Sequence, residues 1–188
     1  MRELILASAS PRRREILTQI ELPFSVVVSD VEEHLPDAPP VEIVQSLARH
    51  KAEAVAGRHP EALILGADTI VVLDGQIMGK PKDRADAKKM IERLQGRSHE
   101  VYTGVAVCCP ETGCFTFAER TVVTVQPMEE REIKAYLDTK EPYDKAGAYA
   151  VQGIFARYIK ELKGDFYNVM GLPASRIYQE LKQRGLLF

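Results

Sequence analysis

The stretch that most constrains the fold is residues 62–75, ALILGADTIVVLDG, a nearly unbroken apolar run with Asp68 and Thr69 in its middle. A run of this kind, rich in β-branched residues and ending in a turn signal, predicts a buried strand. An unpaired carboxylate in such surroundings would cost several kcal/mol, so Asp68 needs a cation, hydrogen-bond donors or a water-filled cleft beside it. The structural alternative is an acid at a strand end that caps a turn.

Composition limits the classes of protein that this chain can represent. With 188 residues, of which 45% are hydrophobic and 28% charged, it is typical of a globular protein with a substantial core. The formal charge of -2, with acids and bases mixed, favours neither nucleic acid nor a membrane surface as a partner. No segment approaches the roughly 18 to 20 apolar residues of a membrane span, and no leader pattern is present. We therefore expect a cytoplasmic protein that binds neither nucleic acid nor membrane.

The three cysteines, Cys108, Cys109 and Cys114, lie in one short segment. No second Cys pair and no nearby His completes a zinc site. We therefore expect reduced thiols rather than a disulfide or a metal site.

The N-terminus combines a strand, a serine-rich turn and a basic helix start. Leu4 to Ala7 predicts a strand, Ser10 is a suitable N-cap, and Pro11 suits the first helical position. Residues 12–14 are three arginines, which the helix dipole disfavours at this end. A bound anion would reverse that penalty, so the segment is typical of a phosphate site. The alternative is three solvated arginines on an exposed turn.

Two lysines are further candidates for anion binding. Val41 to Gly57 predicts a helix, and Lys51 falls within its apolar face, where it either extends past its neighbours to water or reaches an anion. Lys80 follows a hairpin whose turn is predicted at Asp74 and Gly75, and the alternative for this lysine is an exposed turn position. The acidic segment 29–33 is a candidate source of a second carboxylate near Asp68, the alternative being a solvated loop.

The rest of the chain alternates predicted helices and strands. The predicted helices cover 83–94, 128–139 and 173–184, and the strands cover 101–108, 115–125 and 155–162, with a loop and short strand over 143–153. No repeat or linker divides the chain. We therefore predict one α/β domain over residues 1–188, with a two-lobed form as an option.

Eight motifs stand in the order and at the spacing expected of the Maf family, which the chain resembles over essentially its whole length. They are LASASPRRREIL, SDVEE, LARHKA, GADTIVVLDG, GKP, GRSHEVYTG, DKAGAYAVQG and VMGLP. The resemblance implies a nucleoside triphosphate pyrophosphatase, which hydrolyses a nucleoside triphosphate to the monophosphate and pyrophosphate. It also implies a fold like that of the inosine triphosphate pyrophosphatases: α/β, with an elongated mixed sheet, flanking helices and two lobes around a cleft.

The resemblance also implies roles for individual residues. Asp68 would accept the proton of the attacking water and contact a divalent cation, Mg²⁺ or Mn²⁺, which Glu33 would also hold. The residues expected around the triphosphate are Ser8, Arg13, Lys51 and Lys80. The residues at positions tied to substrate choice are Arg12, Thr69 and Gln152.

These last three residues resemble the subgroup that prefers dTTP and UTP, including some modified pyrimidine nucleotides, over the subgroup acting on 7-methyl-GTP. The expected partner is thus a nucleoside triphosphate, with a homodimer as an option for assembly, and the expected role is cleaning of the nucleotide pool. The competing hypothesis is a nucleotide-binding regulator of septum formation without significant turnover. A DNA-binding protein is a third hypothesis, but the chain lacks a basic face and a recognition helix.

Overall fold

The computed structural model describes residues 2–31 and 37–187. Its strands are β1 Leu4–Leu6, β2 Ser25–Val26, β3 Leu63–Leu73, β4 Gln76–Met78, β5 Ser98–Cys109, β6 Gly113–Val125 and β7 Ile159–Lys163. Its α-helices are α1 Pro11–Gln19, α2 Pro40–Ala56, α3 Arg84–Leu94, α4 Glu130–Leu137, α5 Phe166–Met170 and α6 Ala174–Gln183. Short 3₁₀ helices cover Glu141–Asp144, Ala146–Ala148 and Ile154–Tyr158. Within these residues no helix is long and apolar enough to cross a membrane.

The strands form one mixed sheet. Its order is β2, β1, β3, β5, β6, β7, and β4 pairs with β3 outside this path. β1 runs parallel to both β2 and β3, whereas β4 is antiparallel to β3 and β7 is antiparallel to β6. A mixed sheet with flanking helices confirms the predicted α/β class.

The chain forms two compact units. The first comprises Met1–Asp68, Thr103–Glu119 and Gly171–Phe188, and the second comprises Thr69–Tyr102 and Arg120–Met170. The boundary in sequence falls between Asp68 and Thr69, inside β3. One domain over residues 1–188 stays a prediction.

In the first unit, α2 packs directly on the sheet. Its alanines 48 and 52 join residues of β1, β3 and β5 in one buried cluster. A Cβ added at Gly66 would clash with the carbonyl of Ala48, and one added at Gly104 would clash with the carbonyl of Val44, so glycine allows the helix backbone to approach both strands. At the start of α2, Val41 is 41% exposed, whereas Ile43 in the same turn is buried.

The second unit contains the predicted hairpin. Asp74 and Gly75 both have positive φ, 52° and 73°, as a two-residue turn of the tight hairpin type requires. α3 begins after Asp83, whose side chain accepts a hydrogen bond from the backbone N–H of Asp86 at 2.8 Å.

Two secondary-structure predictions in this unit are wrong. Residues 143–153 contain no strand, because Gly147 and Ala148 have φ of 70° and 61° and the chain turns there in short 3₁₀ segments. The last strand begins at Ile159 rather than Phe155, because a 3₁₀ helix occupies residues 154–158.

The prediction of three reduced thiols is also wrong. Cys108 and Cys114 form a disulfide, with 4.0 Å between their Cα atoms, and Cys109 remains a buried free thiol. The cause is the turn at residues 110–112, which joins β5 to β6 and brings the two cysteines opposite each other. Intervals along the chain do not reveal this pairing, since it depends on the register of the hairpin.

Candidate active site

The centre of the site is an ion pair between Lys51 and Asp68. The Lys51 Nζ donates to Asp68 Oδ1 at 2.6 Å, and their side chains are only 14% and 11% exposed. Lys51 reaches the strand because its α2 neighbours Leu47, Ala48 and Ala52 are buried, and because Gly66 permits a close approach of helix to β3. The lysine therefore does not extend to water, and the cation required beside Asp68 is present.

Such a pair is a weak contributor to folding. Removing two charges from water is expensive, and a well-packed apolar pair of similar size is often as stable or more so. A charge-assisted hydrogen bond in the middle of an apolar strand is therefore more typical of a functional site than of an interaction that only stabilises the fold.

A second polar cluster joins the turn after β1 to the first turn of α1. The Ser8 hydroxyl accepts hydrogen bonds from the Ser10 backbone N–H at 3.2 Å and from an Arg13 terminal nitrogen at 3.1 Å. The Arg13 Nε donates to the Gly171 carbonyl at 2.8 Å. Ser8 and Arg13 are 6% and 9% exposed, so Arg13 is not a solvated arginine. Arg12 is half-buried, and Arg14 is exposed.

The parallel pairing of β1 with β3 brings the two clusters to the same region of the first unit. Leu6 is in register with Leu65, and the Ala7 N–H donates to the Leu65 carbonyl at 2.8 Å. Continuing in the same direction, the turn that starts at Ser8 lies beside the segment of β3 that contains Asp68. The Ser8 hydroxyl and Arg13 thus follow the end of β1, while the Asp68 carboxylate lies within β3 and is paired with Lys51 of α2. Ligands of α/β proteins commonly bind beyond the carboxyl ends of parallel strands.

Three predicted substrate-binding residues belong to the second unit. Thr69 follows Asp68 on β3 and is half-buried, whereas Lys80 and Gln152 are exposed. The segments that carry Lys80 and Gln152 are connected by a hydrogen bond of 3.1 Å from the Gly147 N–H to the Gly79 carbonyl. Glu33, the second predicted metal ligand, lies outside the described residues.

The Asp68 carboxylate is chemically suited to help hold a divalent cation. Mg²⁺ is commonly bound by one or two carboxylates and by substrate phosphate oxygens rather than by a cage of protein ligands. Asp68 supplies a carboxylate of this kind. No group of three or more His, Cys, Asp or Glu side chains that could hold a metal occurs in residues 2–31 and 37–187.

Two further groups of the second unit, the buried His99 and the half-buried Glu141, were not predicted to have a role. His99 is 2% exposed, its Nε2 lies 2.6 Å from the Tyr149 hydroxyl, and burial lowers its pKa to about 4. The Glu141 carboxylate accepts hydrogen bonds from the backbone beyond Gln152. Only their place in the sequence could have indicated these groups. His99 lies in the motif GRSHEVYTG, its partner Tyr149 lies in DKAGAYAVQG, and Glu141 lies just before the second motif.

Solved structures identify the fold. The Ham1 protein of Staphylococcus aureus superposes with a TM-score of 0.54 at 14% identity, covering 97% of this chain and 99% of that one. A HAM1 protein from Coxiella burnetii gives a TM-score of 0.53 at 14% identity, covering 97% and 100% of the two chains. The chain thus has the α/β fold of the Ham1 proteins, and the predicted likeness to the inosine triphosphate pyrophosphatase fold is confirmed.

The sequence identifies the family. Residues 3–184 match the family described as Maf-like protein, and the chain belongs to it. A protein of Bacillus cytotoxicus named dTTP/UTP pyrophosphatase is 52% identical over 184 residues, covering 97% of this chain and 96% of its own. A protein of the same name from Symbiobacterium thermophilum is 51% identical over 186 residues, covering 98% and 95% of the two chains.

Proposed function

We propose that this chain is a nucleoside triphosphate pyrophosphatase that hydrolyses dTTP and UTP to the monophosphate and pyrophosphate, as a cleaning enzyme of the cytoplasmic nucleotide pool. The observation that carries the proposal is the Lys51–Asp68 pair, a shielded carboxylate and ammonium 2.6 Å apart beside the Ser8–Arg13 cluster. Support also comes from relatives about 50% identical over nearly the whole chain that bear this name.

The cationic groups bind the triphosphate. The Arg13 guanidinium is oriented by Ser8 and by the Gly171 carbonyl, and a planar guanidinium fork matches the geometry of phosphate oxygens. Lys51 adds a point charge, and Lys80 is proposed to add another. When a triphosphate binds, the Lys51 ammonium is shared between phosphate and Asp68, which frees the carboxylate to accept a proton.

Asp68 is the proposed proton acceptor. It takes a proton from a water molecule as the water oxygen bonds to the α-phosphorus. The bond from that phosphorus to the bridging oxygen then breaks, and pyrophosphate leaves with the bonding electron pair. Arg13 and Lys51 neutralise negative charge that develops on the phosphoryl oxygens.

A divalent cation is proposed as the cofactor, held by Asp68 and Glu33 together with phosphate oxygens. It would supply positive charge that polarises the phosphoryl group and stabilises the leaving pyrophosphate.

Recognition of the base is assigned to Gln152, with Arg12 and Thr69 as further selectivity residues. A glutamine amide donates and accepts hydrogen bonds at once, so it can match the edge of uracil or thymine. A purine would leave polar groups unpaired, at about 1 to 3 kcal/mol for each mismatch.

A nucleotide panel tests the proposal. With Mg²⁺ present, we expect dTTP and UTP to be cleaved well ahead of ATP, GTP and 7-methyl-GTP, with pyrophosphate as the co-product. Asp68→Asn should keep nucleotide binding but lower kcat by about 10² to 10⁴, because the amide fits the space and cannot accept the proton. Direct release of orthophosphate, preference for 7-methyl-GTP, or near-normal turnover by folded Asp68→Asn would contradict it.

A further inference from the structure

The residue proposed to read the base stands on a tight turn. Gln152 is exposed, while its neighbours Ala148 to Val151 are buried. The Gly153 N–H donates to the Ala150 carbonyl at 3.2 Å and closes the turn, so Val151 and Gln152 form its tip. We call residues 145–153 the Gln152 loop.

The residues that flank this turn belong to a cluster of packed aromatic rings. The rings of Tyr149 and Phe155, which flank the turn, have centroids 4.9 Å apart. The centroid of the Phe155 ring also lies 5.1 Å from that of Tyr136 and 5.5 Å from that of Tyr158. The Tyr149 hydroxyl is hydrogen-bonded to His99. Packed aromatic rings of this kind hold the entry and exit of the turn in one arrangement.

The exit of the turn is held by one carboxylate, that of Glu141. Its Oε2 accepts from the Ile154 N–H at 2.6 Å, and its Oε1 accepts from the Phe155 N–H at 3.0 Å and from the Tyr136 hydroxyl at 3.1 Å. A Cβ at Gly153 would clash with this carboxylate, so glycine is required for the carboxylate to reach the backbone. Hydrogen bonds from backbone N–H groups to a charged acceptor are about twice as strong as neutral ones.

We propose that Glu141 is a positioning residue, which fixes the backbone immediately after Gln152 and so holds the Gln152 amide where it can select the base of the nucleotide. This role rests on the proposed function of the chain. A rigid backbone matters here because a side chain that must be ordered on binding loses affinity and discrimination. Glu141 itself does not touch the substrate.

The test compares four proteins: wild type, Glu141→Gln, Gln152→Ala and the double variant. Glutamine is isosteric with glutamate but replaces one acceptor oxygen with a donor, which cannot accept from a backbone N–H. We expect Glu141→Gln to reduce the ratio of kcat/KM for UTP over ATP by about tenfold, mainly through a higher KM for UTP. Faster hydrogen exchange at the Ile154 and Phe155 amides should accompany this loss.

The double variant separates positioning from a general loss of structure. If Glu141 acts through Gln152, the double variant should have the same UTP/ATP ratio as Gln152→Ala alone, because the two changes remove one interaction. The matched control is Glu161→Gln, an exposed carboxylate of β7 in the same unit, which should leave the ratio and the exchange rates unchanged. Tyr136→Phe is a milder variant in case Glu141→Gln does not fold, and it should lower the ratio in the same direction.

Three contrary results would differ in what they overturn. A wild-type protein without pyrimidine triphosphate hydrolysis would overturn the proposed function and this role with it. An active wild type whose base preference is unchanged by Glu141→Gln, or by Tyr136→Phe if that is the variant that folds, would overturn only the positioning role. Independent, multiplicative losses in the double variant would also overturn it.

Discussion

At the scale of single residues, the site depends on two side chains that are each unsuited to the element that carries them. Asp68 interrupts a buried apolar strand, and Lys51 interrupts the buried face of a helix. Each supplies the counter-charge that the other needs, at 2.6 Å. In the proposed mechanism, this arrangement holds the Asp68 carboxylate for proton transfer in a poorly hydrated region, where electrostatic interactions are stronger than in water.

Removing one partner of the Lys51–Asp68 pair should destabilise the fold, because the other charge stays buried. Methionine suits the apolar face of α2, but Lys51→Met leaves the Asp68 carboxylate buried without the ammonium. We expect the free energy of unfolding to fall by about 3 kcal/mol. Urea denaturation of the single variants Lys51→Met and Asp68→Asn and of the double variant measures this.

The double variant should recover most of the loss, because it buries no unpaired charge. If the single and double losses simply add, the two side chains are not energetically coupled.

The sequence predicts that Asp68 requires a cation or hydrogen-bond donors and that Lys51 requires water or an anion. It does not predict that these two residues pair with each other. An acid within an apolar run and a lysine within an apolar stripe are visible in the letters alone. That they meet depends on how closely α2 approaches β3, which is set by Gly66 and its contact with Ala48. Arg13 is similar, since its burial depends on the distant Gly171 carbonyl.

At the scale of elements, periodic segments were predicted well and the segment around the Gln152 loop was not. The bounds predicted for α2, α3 and β3 agree with the structure within two residues, because the two helices have a clear apolar period and β3 is an apolar run that ends in a turn. Residues 143–153 have small side chains and no period. Their conformation follows instead from contacts made elsewhere in the second unit, such as those with Glu141 and His99.

The direct contact between α2 and β5 depends on the absence of a side chain at Gly104. Gly104→Ala should reduce the free energy of unfolding by about 3 kcal/mol, because the new methyl group meets the backbone of Val44, which cannot rotate away. Gly79→Ala is the matched control, since nothing lies within 4 Å of a Cβ there and φ is not positive. Thermal unfolding of the two variants checks this, and equal melting temperatures would show that α2 moves away at little cost.

At the scale of the whole molecule, His99 makes stability depend on pH. Burial lowers its pKa to about 4 in the folded state, against an ordinary value of 6.5. Between these values the unfolded chain binds the proton and the folded chain does not, so stability is full above pH 6.5 and falls as pH is lowered towards 4. The loss from this group is on the order of 3 kcal/mol.

A variant without the imidazole isolates this contribution. His99→Gln keeps a polar side chain near the Tyr149 hydroxyl but has no proton to gain. Its free energy of unfolding should therefore change less between pH 6.5 and pH 4 than that of the wild type. Parallel curves for the two proteins over this range would show that His99 does not titrate as its burial requires.

The fold class and family are readable from the whole sequence, because alternating apolar periods and eight ordered motifs together specify them. The division into two units is harder to predict from the sequence. Its boundary between Asp68 and Thr69 falls inside one continuous strand, where the composition does not change.

The disulfide of the β5–β6 hairpin has a practical consequence for spectroscopy. Cys108 and Cys114 are joined to each other, and Cys109 is 4% exposed, so the oxidised chain offers no readily accessible thiol to a maleimide or methanethiosulfonate reagent. A single cysteine introduced near the Gln152 loop, for example in place of the exposed Asp144, would then be the one attachment point for a fluorophore or spin label. Motion of that loop could be followed without first removing any native cysteine.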